Sequence, residues 1–524
     1  MKILLIKPPL DLFDFEVASI VPPLGLAYIA GFLEKNDYNV KILDTVVEDT
    51  EPKHIKDNLY HWGLSYEKIN EFILKEKPDV VGIGCLFSSQ FRNSMVVAKH
   101  AKEAGCIVVV GGTHASANPE ELLKSGYIDY VVLGEGEETV LELMKSIENK
   151  EELRSNSSKS RIGKYHNKYT FLNNKKSISD SAICKIDGLA YKYRGKIHVN
   201  QKTKYIKNID TIPMPARHLL PMKKYLDLGS GHGPSVMRTP CTSVITSRGC
   251  PFNCVFCSTH NVWGKTWRGR DAKKVVDEVE EIVKTYGVKE VHFDDDNISL
   301  DRERMEQICN EIIKRGLKIK WCTPNGIALW TLDEALLRLM KKSGCYKLSF
   351  GLESGDKETL KFIRKPLQNL GIVKEKVALV NSAGIWTQGF FIIGFPYESL
   401  SSVQNTVNFA VDVDLDFASF EIAAPLPGTD LYRIMRKENM VNEIDWEDIR
   451  LRHVEMKTKH FTTKELVKLQ KQVYLGFFKR RLFGYLNPIK TFKRLRRIDS
   501  LDSLKFIAKI AKRVYYNAVV RGVE

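Results

Sequence analysis

Short apolar runs rich in β-branched residues, at 3–6, 40–43, 80–84, 107–111 and 130–133, alternate with longer amphipathic stretches over the first 150 residues. Strands alternating with helices predict a parallel, doubly wound sheet. Several runs end in small or turn-forming residues: Gly84-Cys85-Leu86-Phe87-Ser88-Ser89, Gly111-Gly112-Thr113-His114 and Gly134-Glu135-Gly136-Glu137. In such a sheet ligands bind beyond the carboxyl ends of the strands, where glycine lets a backbone approach closely. From about 150 to 235 the pattern weakens into polar and proline-bearing segments, which predicts a connector with a small hairpin. The alternation returns at 244–246, 290–293, 320–322, 347–351, 387–393 and 419–422, six strand-like runs that predict a partial (β/α)6 barrel. The 271–286 stretch predicts a helix, with Val275, Val276, Val279, Ile282 and Val283 on one face and Gly287 just past its end. Thr462-Thr463-Lys464-Glu465 fits a capping box opening a helical, basic tail. The chain therefore reads as α/β: a Rossmann-like domain at 1–150, a connector at 151–235, a partial barrel at 236–440 and a helical basic C-terminal region at 441–524.

Composition narrows the class. The chain has 524 residues, 43% hydrophobic and 27% charged, enough to bury a large core. No apolar run reaches the ~18–20 residues a membrane-spanning helix needs, and the opening MKILLIKPPL reads as a first strand rather than a signal peptide. A cytosolic protein is expected. Ten cysteines are too sparse for a disulfide framework. The net charge of +16 concentrates at the end, with 13 Lys or Arg against 3 Asp or Glu from Phe477 onward. Such a basic amphipathic segment suits an anionic membrane surface, or equally a helix packed on the barrel with its cations in water; nucleic acid is disfavoured.

Only Cys250, Cys254 and Cys257 stand close together, in Ser247-Arg248-Gly249-Cys250-Pro251-Phe252-Asn253-Cys254-Val255-Phe256-Cys257. The loop directly follows the first barrel run, where barrel active sites are built. Three thiolates spaced C-x3-C-x2-C suit a [4Fe–4S] cluster and leave one iron open. An open iron can chelate the amino and carboxylate groups of S-adenosylmethionine and pass an electron to its sulfonium. The competing interpretation is a zinc-stabilised membrane- or nucleic-acid-binding protein with a ligand such as His260, although zinc sites favour paired ligands and a closed shell.

The cysteine loop, with Phe256 before its last cysteine, resembles the radical S-adenosylmethionine superfamily signature. The rest resembles the cobalamin-binding subgroup, through Pro22-Pro23-Leu24-Gly25-Leu26, Gly111-Gly112-Thr113-His114, Gly134-Glu135-Gly136-Glu137, Phe350-Gly351-Leu352-Glu353-Ser354-Gly355, Gly394-Phe395-Pro396 and Pro425-Leu426-Pro427-Gly428-Thr429. That family includes methylases of unactivated carbon, the anaerobic ring cyclase of chlorophyll biosynthesis and hopanoid-modifying enzymes. The resemblance implies that Cys250, Cys254 and Cys257 hold the cluster. It places Phe256 by the adenine of S-adenosylmethionine, Asp294, Asp295 and Asn297 along its methionine end, and Glu353 and Ser354 near its ribose. It also implies a cobalamin cradle made by Ser88, Ser89, Gly111, Gly112, Gly134, Glu135 and Gly136. The histidine-ligating motif D-x-H-x-x-G is absent from Pro8-Pro9-Leu10-Asp11-Leu12-Phe13-Asp14, so cobalamin is expected without a protein histidine on cobalt. The implied activity is reductive cleavage of S-adenosylmethionine and methylation of an unactivated carbon, with a non-methylating cyclisation, rearrangement or carbon–carbon coupling as the alternative. The expected partners are a small or lipid-like substrate, an electron donor such as flavodoxin or ferredoxin, and a membrane surface for the tail. His232, Trp263, Trp267 and Arg268 are candidate substrate-lining groups, or packing residues.

Overall fold

The computed structural model describes the chain except residues 14–19, 159–179, 230, 232–235, 443–455, 485–496, 499 and 516–524. Lys2–Lys7, Asn39–Asp44, Val80–Gly84, Ile107–Gly111 and Tyr130–Val132 form a parallel sheet in the spatial order 5-4-3-1-2. This doubly wound order reverses between the first and third strands, the point at which such sheets open a crevice. The hairpin expected in the connector exists as Leu189–Tyr193 and Lys196–Val199, and it pairs antiparallel with Tyr130–Val132. It thereby covers an edge that would otherwise expose unpaired backbone groups. A small sheet of Leu10–Phe13, Lys53–Lys56 and Leu59–Trp62, which the sequence pattern did not reveal, lies outside the main one.

Cys241–Val244, Glu290–Phe293, Lys320–Thr323, Cys345–Glu353, Trp386–Ile393 and Phe417–Ile422 are parallel neighbours in chain order, the six-stranded partial barrel. The helix between the first two strands is Ala272–Tyr286. Asp271 accepts from the Lys273 and Lys274 N–H groups at its start, and Gly287 ends it at φ 65°. Its Val275, Val276, Val279 and Ile282 are buried in the barrel's outer core. The first barrel strand starts and ends earlier than the expected 244–246. It ends early because the Thr246 and Ser247 N–H groups donate to Asp295 and the Thr246 carbonyl accepts from Arg304 and from the Arg270 N–H, so groups outside the sheet take the bonds a neighbouring strand would have made.

The last barrel strand is an edge, and the C-terminal helix Thr463–Gly484 covers it. The Phe420 N–H donates to the Tyr474 hydroxyl at 3.0 Å and the Phe420 carbonyl accepts from Gln470 at 2.6 Å. The capping box is formed, with Thr462 N–H donating to Glu465 at 2.8 Å. The helix Leu501–Tyr515 inserts Phe506 among Met237, Cys322, Tyr346 and Trp386 at the amino end of the barrel. Inside that end the Glu290 carboxylate accepts from Met237 N, Arg238 N, His292 Nε2 and the Tyr346 hydroxyl at 2.6–2.9 Å. Four donors satisfy this buried carboxylate, so Glu290, His292 and nearby Cys322 read as a polar floor.

Candidate active site

The three cysteines lie half-buried on the loop that leaves the carboxyl end of the first barrel strand, and all three are free thiols. Two backbone bonds pin the loop's centre: Val255 N–H donates to Ile363 O at 3.2 Å, and Val255 O accepts from Leu431 N–H at 2.8 Å. Gly249 has φ 86°, and a Cβ there would meet Thr266 O at 2.3 Å, so only glycine fits immediately before Cys250. Burial raises all three thiols above the usual range, Cys254 to about 11. Bound iron would reverse that preference, because a coordinating thiol is deprotonated by the cation. His260 is hydrogen-bonded through Nε2 to the Cys250 carbonyl at 2.8 Å, so that nitrogen orients the loop instead of completing a tetrahedral zinc shell.

The residues expected around S-adenosylmethionine divide. Asp295 is 1% exposed and places Oδ1 against the N–H and hydroxyl groups of Thr246 and Ser247, beneath the loop. Asn297 is buried as well, its Oδ1 accepting from Ala328 N–H and its carbonyl from the Trp267 indole. These two brace loops. Asp294 follows the second strand, its N–H bonded to Val244 O. Asp296, which sequence reasoning passed over, accepts from the Thr259 hydroxyl at 3.1 Å and acts electrostatically on Cys250 and Cys257. Glu353 sits at φ 64° beside a register shift in its strand, and its Oε1 pairs with Lys365 Nζ at 2.9 Å. Lys365 also went unnoticed in the sequence; the Glu353 carboxylate beside it holds its ammonium in the charged form against the cost of burial. Ser354 is fully buried against Thr406 at 2.9 Å and caps the turn at Asp356. Phe256 lies 6.0 Å from the Phe395 ring.

On the first sheet, Gly112 at φ 123° allows the fourth strand's end within 2.4 Å of Cys85 O, counted from a Cβ it lacks. Ser88 is buried and bonded to His114 Nδ1 at 2.9 Å, and Ser89 is half-buried. Burial lowers His114 to about 4, so it is neutral near neutral pH. Leu86 and Phe87, about half exposed, present an apolar step at the same carboxyl edge. His61 is carried beside the loop after the first strand by the small sheet. Its Nδ1 is bonded to Asp11 and its Nε2 to Leu64 O, so neither ring nitrogen is available to cobalt. The third glycine-rich turn differs from the expectation: Glu135 faces Arg248 and Arg268 in ion pairs, and Gly134 and Gly136 pack closely against Lys202 and Ile29. Trp263 and Arg268 join the same interface, Trp267 anchors Asn297, and His232 lies outside the described residues.

Residues 13–144 match the B12 binding domain family and residues 244–410 the Radical SAM superfamily. The chain is 35% identical to an uncharacterized methyltransferase of Pyrococcus horikoshii, over 92% of this chain and 93% of that one. It is 33% identical to the cytidylyl-2-hydroxyethylphosphonate methyltransferase of Streptomyces wedmorensis (84% and 83%) and 27% identical to the anaerobic magnesium-protoporphyrin IX monomethyl ester cyclase of Rubrivivax gelatinosus (92% and 78%). Among solved structures the fold is similar to the radical S-adenosylmethionine methyltransferase TsrM from Kitasatospora setae, with a TM-score of 0.63 and 17% identity over 85% of this chain and 79% of that one. It is also similar to the cobalamin-dependent enzyme OxsB, with a TM-score of 0.65 and 16% identity over 99% and 76%.

Proposed function

This chain belongs to the cobalamin-binding radical S-adenosylmethionine family, and from that premise we propose that it methylates an unactivated carbon of a small-molecule substrate. It is a cobalamin-dependent radical S-adenosylmethionine enzyme with methyltransferase relatives. The observation that carries the proposal is a three-thiol loop at the mouth of a six-stranded barrel, joined through buried contacts to the carboxyl edge of a doubly wound sheet. When bound, the cluster supplies the electron that cleaves S-adenosylmethionine, and cobalamin supplies the methyl group.

The chain's own residues bind and orient. Cys250, Cys254 and Cys257 supply three ligands, and His260 and Val255 hold their loop. Asp294, Phe256, Glu353 and Ser354 stay assigned to the S-adenosylmethionine side as a proposal, with Asp295 and Asn297 acting from beneath. Ser88, Ser89, Gly111 and Gly112 are proposed for the cobalamin face, and no histidine for cobalt. Dividing the chain at 150, 235 and 440 serves this reading, with the Leu189–Val199 hairpin completing the first sheet. A flavodoxin or ferredoxin is proposed as electron donor, and the tail as a peripheral membrane contact. Ring formation without methyl transfer is the second reading, supported by the similarity to the ring cyclase.

Anaerobic reconstitution tests the proposal. The protein should take up iron and cobalamin and, with reductant, form 5′-deoxyadenosine from S-adenosylmethionine. Cys254→Ala should lose the cluster's absorbance and all 5′-deoxyadenosine. Zinc without iron would reject the enzyme reading, and iron without corrinoid would remove the methyl donor.

A further inference from the structure

The turn after the fifth strand of the first sheet is turned inward on the cysteine loop. Glu135 and Glu137 are 1% and 4% exposed. Arg248, two residues before Cys250, reaches both: Nη1 lies 2.7 Å from Glu135 Oε1 and Nη2 2.7 Å from Glu137 Oε1. Arg268 opposes Arg248 in the two-residue ladder of Ser247–Arg248 with Arg268–Gly269, and its Nη1 lies 2.8 Å from Glu135 Oε2. The Ile206 N–H, from the connector, donates to the same oxygen at 2.9 Å, and its carbonyl accepts from Arg268 at 2.7 Å. The Arg248 guanidinium lies 4.6 Å from the Trp263 ring and 5.2 Å from the Tyr28 ring. One buried cluster thus ties the first domain, the connector and the stem of the cysteine loop together.

Burying two carboxylates and two guanidiniums is costly for each ion alone and is repaid only when their geometry is matched. An apolar contact of the same area could slide, whereas a planar guanidinium bridging two carboxylates has one favourable register. We propose that the cluster of Glu135, Glu137, Arg248 and Arg268 is a positioning device that fixes the cysteine loop relative to the cobalamin face of the first domain. Its residues touch neither reactant; they act through the loop, and the inference rests on the cofactor reading above. In a reaction that moves a methyl group from one cofactor to a radical made beside another, that separation governs whether the two half-reactions meet.

The test uses the full chain reconstituted with cluster and cobalamin, with the cluster reduced and cobalt as cob(II)alamin, and reads the magnetic coupling between the two centres by pulsed electron paramagnetic resonance. The native protein should give one narrow coupling. Glu135→Gln and Glu137→Gln should keep their iron and cobalamin yet lose that narrow coupling for a broad distribution, Glu137→Gln less so because Glu135 still bridges both arginines. If Glu135→Gln does not fold, Glu137→Gln decides. Unchanged coupling, even with a lowered melting temperature, overturns the proposal by leaving the cluster a stabilising role only. Loss of iron from the folded variants overturns it too, because the residues would then build the loop and not place it. A native protein that takes iron but no cobalamin overturns the cofactor reading and this inference with it.

Discussion

Glu398 shows how much a single side chain can hide. It lies just past the fifth barrel strand, where Oε2 accepts from the Gly394 N–H at 2.6 Å and the Phe395 N–H at 3.4 Å, while Oε1 has no hydrogen-bond partner among the described residues. Burial pushes this carboxyl up to about 7, against those two N–H groups and with help from the Asp356 charge. Below the ordinary carboxylate range both folded and unfolded chains hold the proton. As pH rises from 4.5 towards about 7 the unfolded chain releases it first, so stability falls across that window by about 3 kcal/mol and is flat above it. Glu398→Gln keeps an acceptor for both N–H groups without the charge. Thermal unfolding should therefore show the variant equal to the native protein at about pH 4 and more stable at about pH 8. A native-like fall with pH in the variant would reject the assignment.

At the scale of elements, periodicity located the strands because a half-buried or fully buried strand must be apolar whatever surrounds it. The expected runs at 80–84, 107–111 and 290–293 coincide with observed strands, and the 271–286 helix begins and ends at its own caps. The first barrel strand differed where Asp295 and Arg304 captured its backbone. The basic tail packs on the barrel, one of its two expected arrangements, with Lys479, Arg480, Lys505 and Lys509 exposed, but two of its arginines are buried in ion pairs. Arg481 is bonded to Asp414 at 2.6 Å, Arg497 is paired with buried Asp416, and Phe477 is fully buried against the barrel. The fit of Phe506 makes that helix part of the barrel's core, so Phe506→Ala should cost about 3–5 kcal/mol in chemical denaturation. A loss below about 1 kcal/mol would mean the helix is only loosely attached.

For the whole molecule, the docked tail leaves a specific surface free. Leu501 and Leu504 are 65% and 52% exposed, and Lys505 and Lys509 are exposed on the same helix, while Phe506 faces inward. No described helix is long and apolar enough to cross a membrane. An amphipathic helix of this kind adheres to anionic lipid by apolar insertion and by attraction of roughly 1 kcal/mol per cation near the surface. Co-sedimentation with anionic vesicles should therefore weaken for the Lys505→Glu, Lys509→Glu double variant and with rising salt. Equal binding by the variant would remove the tail's membrane role without touching the barrel.

By itself the sequence determined what depends on neighbours along the chain: the alternation that builds two α/β units, the spacing that puts three thiols on one loop, and the absence of a histidine in the first-strand loop. The tertiary structure alone decided which charges meet. Arg248 and Glu135 are 113 residues apart, and Lys365 reaches back to Glu353 over the intervening helix Lys357–Phe362. A carboxylate beside glycines looks the same in a sequence whether it cradles a ligand or binds an arginine from another domain. Only the energetic cost of burying it unpaired, settled in three dimensions, distinguishes the two.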